Sequence, residues 1–345
     1  MGSAANNAIV TKAKSMYGKY LKAEDYERMI KLTSVPDLVS YLKKQPNYKD
    51  ILKDVQENTV HRGHLEALIR RNSIEKILKL VKLVFSKDKE FYMLDVIKQE
   101  NEVILAVIRM MINEDNEDIS ARLPFFYDVK TTIDYKKMLK VENYDDLLVA
   151  VKNTPYEDIL RPYYTNNKEQ LRYLDIEHAL EVYYYDLIFK TINKHYSGKL
   201  KKDLENIFKS KIDLSNITKI YRLKKFYKAD PITIKNVLVD EYSKMSDKKL
   251  DALIAVDNPD QLISVITKNQ YFPNANEEDY VYIEHYTGKI RYQLARKYMY
   301  FAKEVPKVYA AFIILSELEI ENLTNIIEGI RYNVDDYEMK QMLIY

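Results

Sequence analysis

One stretch occurs three times in this chain, and it limits the possible folds more than any other feature. Residues 26–48 read YERMIKLTSVPDLVSYLKKQPNY, residues 135–156 read YKKMLKVENYDDLLVAVKNTPY, and residues 250–271 read LDALIAVDNPDQLISVITKNQY. Met29, Met138 and Leu253 share one column, and Leu38, Leu147 and Leu262 share another. The first column recurs after 109 and then 115 residues. Each copy is a short apolar turn, a polar break and an amphipathic run. The break has the chemistry of a helix start. Ser34, Asn143 and Asn258 occupy the N-cap, with Asp37, Asp146 and Gln261 three residues on. An N-cap oxygen accepts an otherwise orphaned backbone N–H, and the residue at N3 can reach back towards the cap. Pro36 and Pro259 fall in the first turn, where a missing N–H costs nothing. Near-regular spacing and in-phase apolar columns predict a triplicated chain with units over residues 1–120, 121–230 and 231–345.

The rest of the pattern is helical. Apolar periodicity predicts helices over residues 8–20, 61–85, 100–112, 171–196, 199–208, 213–227, 279–303 and 306–332, with a break at Ser197 and Gly198. Strand-like alternation is never sustained. Only 6 glycines and 9 prolines suit long helices with tight connections. The acidic run at residues 114–118 reads as a solvated loop, and residues 1–7 read as an unstructured lead. The fold class expected is all-α.

Two asparagines interrupt apolar stripes. Asn216 has Ile212 and Ile220 four residues to either side, and Asn322 has Leu318 and Ile326 at the same offsets. Residues four apart share a helix face, so each amide must find partners or lose about 1–3 kcal/mol. The simplest reading is a core amide bonded to a neighbouring helix end; the other is a contact between units or with a partner. Val103 fills the equivalent column of the first unit.

Catalytic and ligand-binding patterns are not legible. Cysteine is absent, so thiolate metal sites, disulfides and cysteine nucleophiles are excluded. Neither glycine-rich phosphate-binding motif occurs. His61 and His64 share a helix face near Glu66 but lack a third ligand, while His178, His195 and His285 stand isolated. Glu317, Glu319 and Glu321 alternate, which turns them by roughly 200° per step around a helix and points to solvated or partner-facing roles. The basic group Arg222, Lys224, Lys225 and Lys228 reads as a helix end facing water or an acidic partner. With 54 basic against 52 acidic residues, a dedicated nucleic-acid binder is disfavoured. The longest apolar run, residues 308–315, is far short of the roughly 20 residues that cross a bilayer. An export signal is not seen, and no cofactor is called for.

Three segments carry a resemblance: AEDYERM in the first copy, IDLSNITKIYR in the second unit, and ELEIENLTNIIEGIRY near the end of the third. Together they resemble the central-axis component of rotary V/A-type ATPases, the C subunit of archaeal and bacterial complexes and the d subunit of eukaryotic ones. The resemblance spans essentially the whole chain, and its C-terminal motif is the most specific. It implies three similar helical units in a pseudo-three-fold funnel without a catalytic constellation. It further implies a cytoplasmic protein, peripheral on the membrane through the rotor ring, that transmits torque between ATP hydrolysis or synthesis and H⁺ or Na⁺ transport. The implied partners are the central stalk subunits (D and F type) and the rotor ring of proteolipid subunits, with the membrane stator subunit as a further neighbour. Asn216, Arg222, Glu317, Glu319, Glu321, Asn322 and Arg331 are the candidate partner contacts. A helical-repeat scaffold for a soluble protein partner is the alternative, and an enzyme with a cryptic helical site is the third class.

Overall fold

The computed structural model describes residues 2–113, 131–262, 264 and 283–345. Among these residues there are helices and turns and no strand. The acidic run at 114–118, the end of the third copy and residues 279–282 lie outside the described residues.

The first capped stretch is α2 (Ala23–Met29) and α3 (Val35–Lys43), preceded by α1 (Gly2–Tyr17) and followed by the single turn α4 (Lys49–Leu52). A long pair follows, α5 (Arg62–Val81) and α6 (Lys89–Asn113). The second stretch is α7 (Tyr135–Met138) and α8 (Tyr144–Ala150), extended by α9 (Pro155–Leu160). Its long pair is α10 (Tyr173–His195) and α11 (Gly198–Tyr227). After α12 (Pro231–Lys235), the third stretch is α13 (Asp247–Ile254) and a 3-10 turn at Pro259–Gln261. The last pair is α14 (Ile283–Phe301) and α15 (Val305–Tyr332), and α16 (Asp336–Met342) closes the chain.

The caps form as the sequence predicts, with one shift. Ser34 accepts the Asp37 N–H at 3.2 Å and Asn143 accepts the Asp146 N–H at 3.0 Å. Asn258 accepts one residue earlier, from Asp260 at 3.0 Å, because this start is a tighter 3-10 turn. Both aligned columns are core. Met29, Met138 and Leu253 are 0%, 1% and 7% exposed, and Leu38, Leu147 and Leu262 are 0%, 0% and 1%.

Three expected boundaries change. The two helices expected over 199–208 and 213–227 are one 30-residue helix, α11. Ser210 and Asp213 polarise that junction in the sequence, but both are buried against neighbours and nothing there breaks a helix. The helix expected from residue 100 begins at Lys89, and the lead is already helical from Gly2. Ala4 and Ala5, strong helix formers, extend α1 at little cost. The break at Ser197 is present, with Gly198 at φ 59° in the left-handed region that glycine enters freely.

The chain forms two compact units. One comprises Met1–Ser86, Ser197–Lys235 and Asp240–Tyr345, and the other Lys87–Tyr196 and Asn236–Val239. They straddle the sequence repeats for a packing reason. Each capped stretch, with the long helix after it, packs on the second long helix of the preceding repeat. Thus Met138, Leu147 and Tyr156 share a core with Val103, Ile104 and Val107 of α6, and α10 lies along α6. The third stretch and α14 pack on α11. The first stretch takes the last helix: Met29, Leu38 and Leu42 share a core with Leu323, Ile326 and Ile330 of α15, on which α5 also packs.

The seam between α15 and α16 depends on a missing side chain. A Cβ added to Gly329 would lie 2.5 Å from Met339 Sδ and 2.7 Å from its Cγ. Gly329→Ala should therefore destabilise the fold by about 1–3 kcal/mol, the usual cost of overpacking. The cost should shrink in a Met339→Ala background. Urea unfolding of the four proteins in this cycle measures it, and equal costs in both backgrounds would refute the contact.

Candidate functional site

The second long helix of each repeat carries a buried carboxylate at the packing contact: Glu100 on α6, Asp213 on α11 and Glu319 on α15, exposed by 0%, 2% and 5%. Each accepts a backbone N–H from the chain leading into the capped stretch that packs there. Thr132 donates to Glu100 at 2.5 Å, Lys244 to Asp213 at 3.0 Å and Leu21 to Glu319 at 3.0 Å. Two of them also accept the phenol that ends that stretch, Tyr156 to Glu100 at 2.9 Å and Tyr48 to Glu319 at 2.6 Å. Tyr271, the matching residue of the third stretch, lies outside the described residues. Each acid stands three residues before Val103, Asn216 or Asn322, so one column of acids precedes the column of asparagines. Sequence reasoning missed Glu100 and Asp213, although that spacing marks them.

Glu319 has the fullest set of partners. Asn47 donates its amide to Oε1 at 2.5 Å, beside the Tyr48 hydroxyl. Lys76 of α5 donates to the Asn47 backbone oxygen at 3.2 Å and to Asn47 Oδ1, and its ammonium lies 5.8 and 5.6 Å from the ring centres of Tyr20 and Tyr48. Tyr20 and Ser316 share a hydrogen bond of 2.5 Å. Burial pushes the Glu319 carboxyl up to about 7, against the opposing pull of Tyr48, Lys76, the Leu21 N–H and Asn47. Burial likewise raises Glu100, opposed by Thr132 and Tyr156, and Asp213, opposed by Ser243 and Lys244. Burial, and then the charge of Glu319, hold the phenols of Tyr20, Tyr26 and Tyr48 well above their ordinary value.

Asn322 clamps the extended end of the chain after α16. Its Nδ2 donates to the Ile344 oxygen at 2.7 Å, and its Oδ1 accepts the Ile344 N–H at 2.8 Å. Lys289 donates to the Tyr345 oxygen at 3.1 Å, and the Tyr345 ring stacks on Tyr26 at 5.0 Å between centres. It is a buried amide as in the simpler sequence reading, but its partner is the extended chain beyond α16 and not a helix end. Asn216 is fully buried on α11.

The remaining candidates separate as the 200° steps require. Glu317 is bound by Lys211 of α11, with 3.0 Å to each oxygen. Glu321 takes Arg291 of α14 in a two-point pair at 3.2 and 2.8 Å, and its side chain stays 43% exposed. Alternation therefore sends three acids to three neighbours, and the middle one is buried where a solvated or partner-facing role was expected. Arg222 and Arg331 are exposed and only loosely paired, 3.9 Å from Glu284 and 3.8 Å from Glu328. His61 is the N-cap of α5, accepting the Gly63 N–H at 3.2 Å. His195 meets Glu90.

This arrangement binds helices to one another and offers no nucleophile–base pairing. The sequence model of the ATP synthase (C/AC39) subunit, vATP-synt_AC39, matches residues 9–342. The chain belongs to that family. Two relatives are both C subunits of A-type ATP synthases. The one from Methanosphaera stadtmanae is 25% identical over 227 residues, covering 61% of this chain and 57% of its own length. The one from Methanosarcina mazei is 23% identical over 272 residues, covering 79% of this chain and 72% of its own. The match thus spans little more than half of the first relative's length. Among the described residues of this C/AC39 chain, no helix is long and apolar enough to cross a membrane.

The Glu319 titration gives a signed expectation. The carboxyl titrates near 4.5 when unfolded and near 7 when folded. Between those values the folded state holds the extra proton, so its contribution to stability falls as pH rises. Relative to Glu319→Gln, the wild type should lose stability between pH 4.5 and 7. Urea unfolding of both proteins across that range tests this, and a constant difference would contradict it.

Proposed function

We propose that this chain is the non-catalytic central-axis subunit of a rotary A/V-type ATPase. It sockets the central stalk onto the membrane rotor ring and passes torque between ATP turnover and ion transport. The observation that carries the reading is the cyclic order of packing: second stretch on α6, third on α11, first on α15. Three equivalent modules in such an order suit a pseudo-three-fold funnel with an axial hollow for the foot of the stalk. An open solenoid would leave its first and last repeats unpaired, whereas the first stretch here is covered by the last long helix. That favours the rotor part over a free-standing scaffold.

Torque transmission needs stiffness within the part and polar, reversible contact at its surfaces. Stiffness is supported by the buried carboxyl groups, because slippage of a stretch along its helix would leave a buried polar group without its hydrogen bonds. For contact, the ends of α11 and α15 are suited. Phe226, Tyr227 and Tyr332 are 64%, 73% and 65% exposed, and Arg222 and Arg331 accompany them. Aromatic and arginine side chains are the usual anchors of protein interfaces. Of the seven candidates, Arg222, Arg331 and Glu321 are thus the partner-facing set we favour. Stalk subunits of the D and F type and the proteolipid ring are the proposed partners, with the stator subunit adjacent. The chain would then lie peripheral on the cytoplasmic side of the membrane, held through the ring.

Capture of tagged protein with stalk subunits, followed by detergent-solubilised ring, tests the reading. Binding to both is expected, and a folded protein that binds neither would overturn it. Arg222→Glu with Arg331→Glu should weaken capture by about tenfold or more, equivalent to about 1.4 kcal/mol, with helix content unchanged. Full-strength capture by this variant would remove both arginines from the interface.

A further inference from the structure

The Glu319 network has an outer side that its structural role does not use. Beyond Asn47 and Lys76, a cavity of about 240 Å³ opens between α1, the turn ahead of α4, and α5. Four lysines line it, Lys12, Lys19, Lys76 and Lys79, together with the amides of Asn47 and Asn72. Asp50 and Glu75 are its acidic residues, and Glu75 is already engaged by Arg71 at 2.9 Å. Positive charge therefore dominates a small concave space, in a chain whose overall charge is close to balanced.

Lys76 is the deepest of the four. An ammonium has three N–H bonds, and Asn47 takes two, through its backbone oxygen and Oδ1. One remains for a ligand. The lysines are also close enough to disturb one another: burial first, and then the charges of Lys79 and Lys19, push the Lys76 ammonium down to about 8, against the pull of Glu319. Charges of one sign gathered at a low-dielectric wall concentrate counter-ions of the other sign. The Lys76 ammonium is held by Asn47, which in turn holds Glu319, so the floor of the cavity is built and not left to surface rotamers.

We propose that this cavity binds a phosphate-type oxyanion, a phosphomonoester or diphosphate group, held by Lys19, Lys76 and Lys79 with the second N–H of the Asn72 amide, whose first donates to the Asn47 backbone oxygen at 2.9 Å. A phosphate-type group brings more negative charge and more acceptor oxygens than a chloride or a single carboxylate, so it gains the most from several ammonium donors converging on one space. The volume suits such a group and falls below the roughly 300–1,000 Å³ of pockets that enclose drug-sized ligands. The group can belong to a soluble phosphate compound or to a phospholipid headgroup.

The test uses full-length protein with two probes. Inorganic pyrophosphate is titrated calorimetrically at constant ionic strength, and phosphatidylcholine vesicles with and without phosphatidic acid are sedimented with the protein. The comparison variant is Lys19→Ala with Lys79→Ala, both exposed positions, and the control is Lys199→Ala with Lys248→Ala, exposed lysines away from the cavity. Pyrophosphate binding that weakens more than about tenfold in the cavity variant and not in the control supports the site with a soluble ligand. Phosphatidic-acid-dependent sedimentation lost in the same variant, without pyrophosphate binding, supports it with a lipid headgroup. Binding of neither probe, or equal binding by wild type and the cavity variant, overturns the proposal.

Discussion

The packing of this protein depends on a buried acid that captures a backbone amide. Apolar burial drives each capped stretch onto its long helix, but burial is non-directional, and a slip along the helix axis changes it little. A carboxylate at the contact changes that. Glu319 meets the Leu21 N–H, Glu100 the Thr132 N–H and Asp213 the Lys244 N–H. In register, each acid regains the hydrogen bonds that burial removed; out of register, it is left unsatisfied at a cost of about 1–3 kcal/mol. The same bond also fixes where the incoming loop ends. Three such bonds at equivalent places turn a helical repeat into a part with defined register.

The helix α15 concentrates these demands. Over six residues it sends Glu317 to α11, Glu319 to the first stretch, Glu321 to α14 and Asn322 to the chain after α16. Such a helix can be polar at many positions and still be the most buried of the set, because each polar group faces a different neighbour. Its sequence, ELEIEN, therefore reads as surface when taken one residue at a time.

Much of this was legible beforehand. The caps at Ser34 and Asn143 follow from local chemistry, since a side-chain oxygen finds an N–H three residues on whatever lies around it. The aligned core columns follow from periodicity. The junction inside α11 was misread because Ser210 and Asp213 look like turn residues in isolation. Buried against Lys244 and Ser243, they are helix residues with distant partners. Asn216 and Asn322 were recognised as unusual, yet the acids three residues before them were not. Acidic residues are common on helix surfaces, and only the recurrence at one offset distinguishes these.

By itself the sequence determined the helical class, the three capped stretches, the columns they bury and the family to which the chain belongs. All of these rest on local periodicity, capping or the recurrence of short motifs. Only the tertiary structure decided which helix each stretch would cover, and so why the compact units cut across the repeats. It also decided that Glu319 is interior while Arg222 and Arg331 are exposed, and that four lysines from α1, the turn after it and α5 share one cavity. Those outcomes depend on pairings between residues tens to hundreds of positions apart. A period of 3.6 residues tells which face of a helix is apolar; it carries no record of which other helix that face will meet.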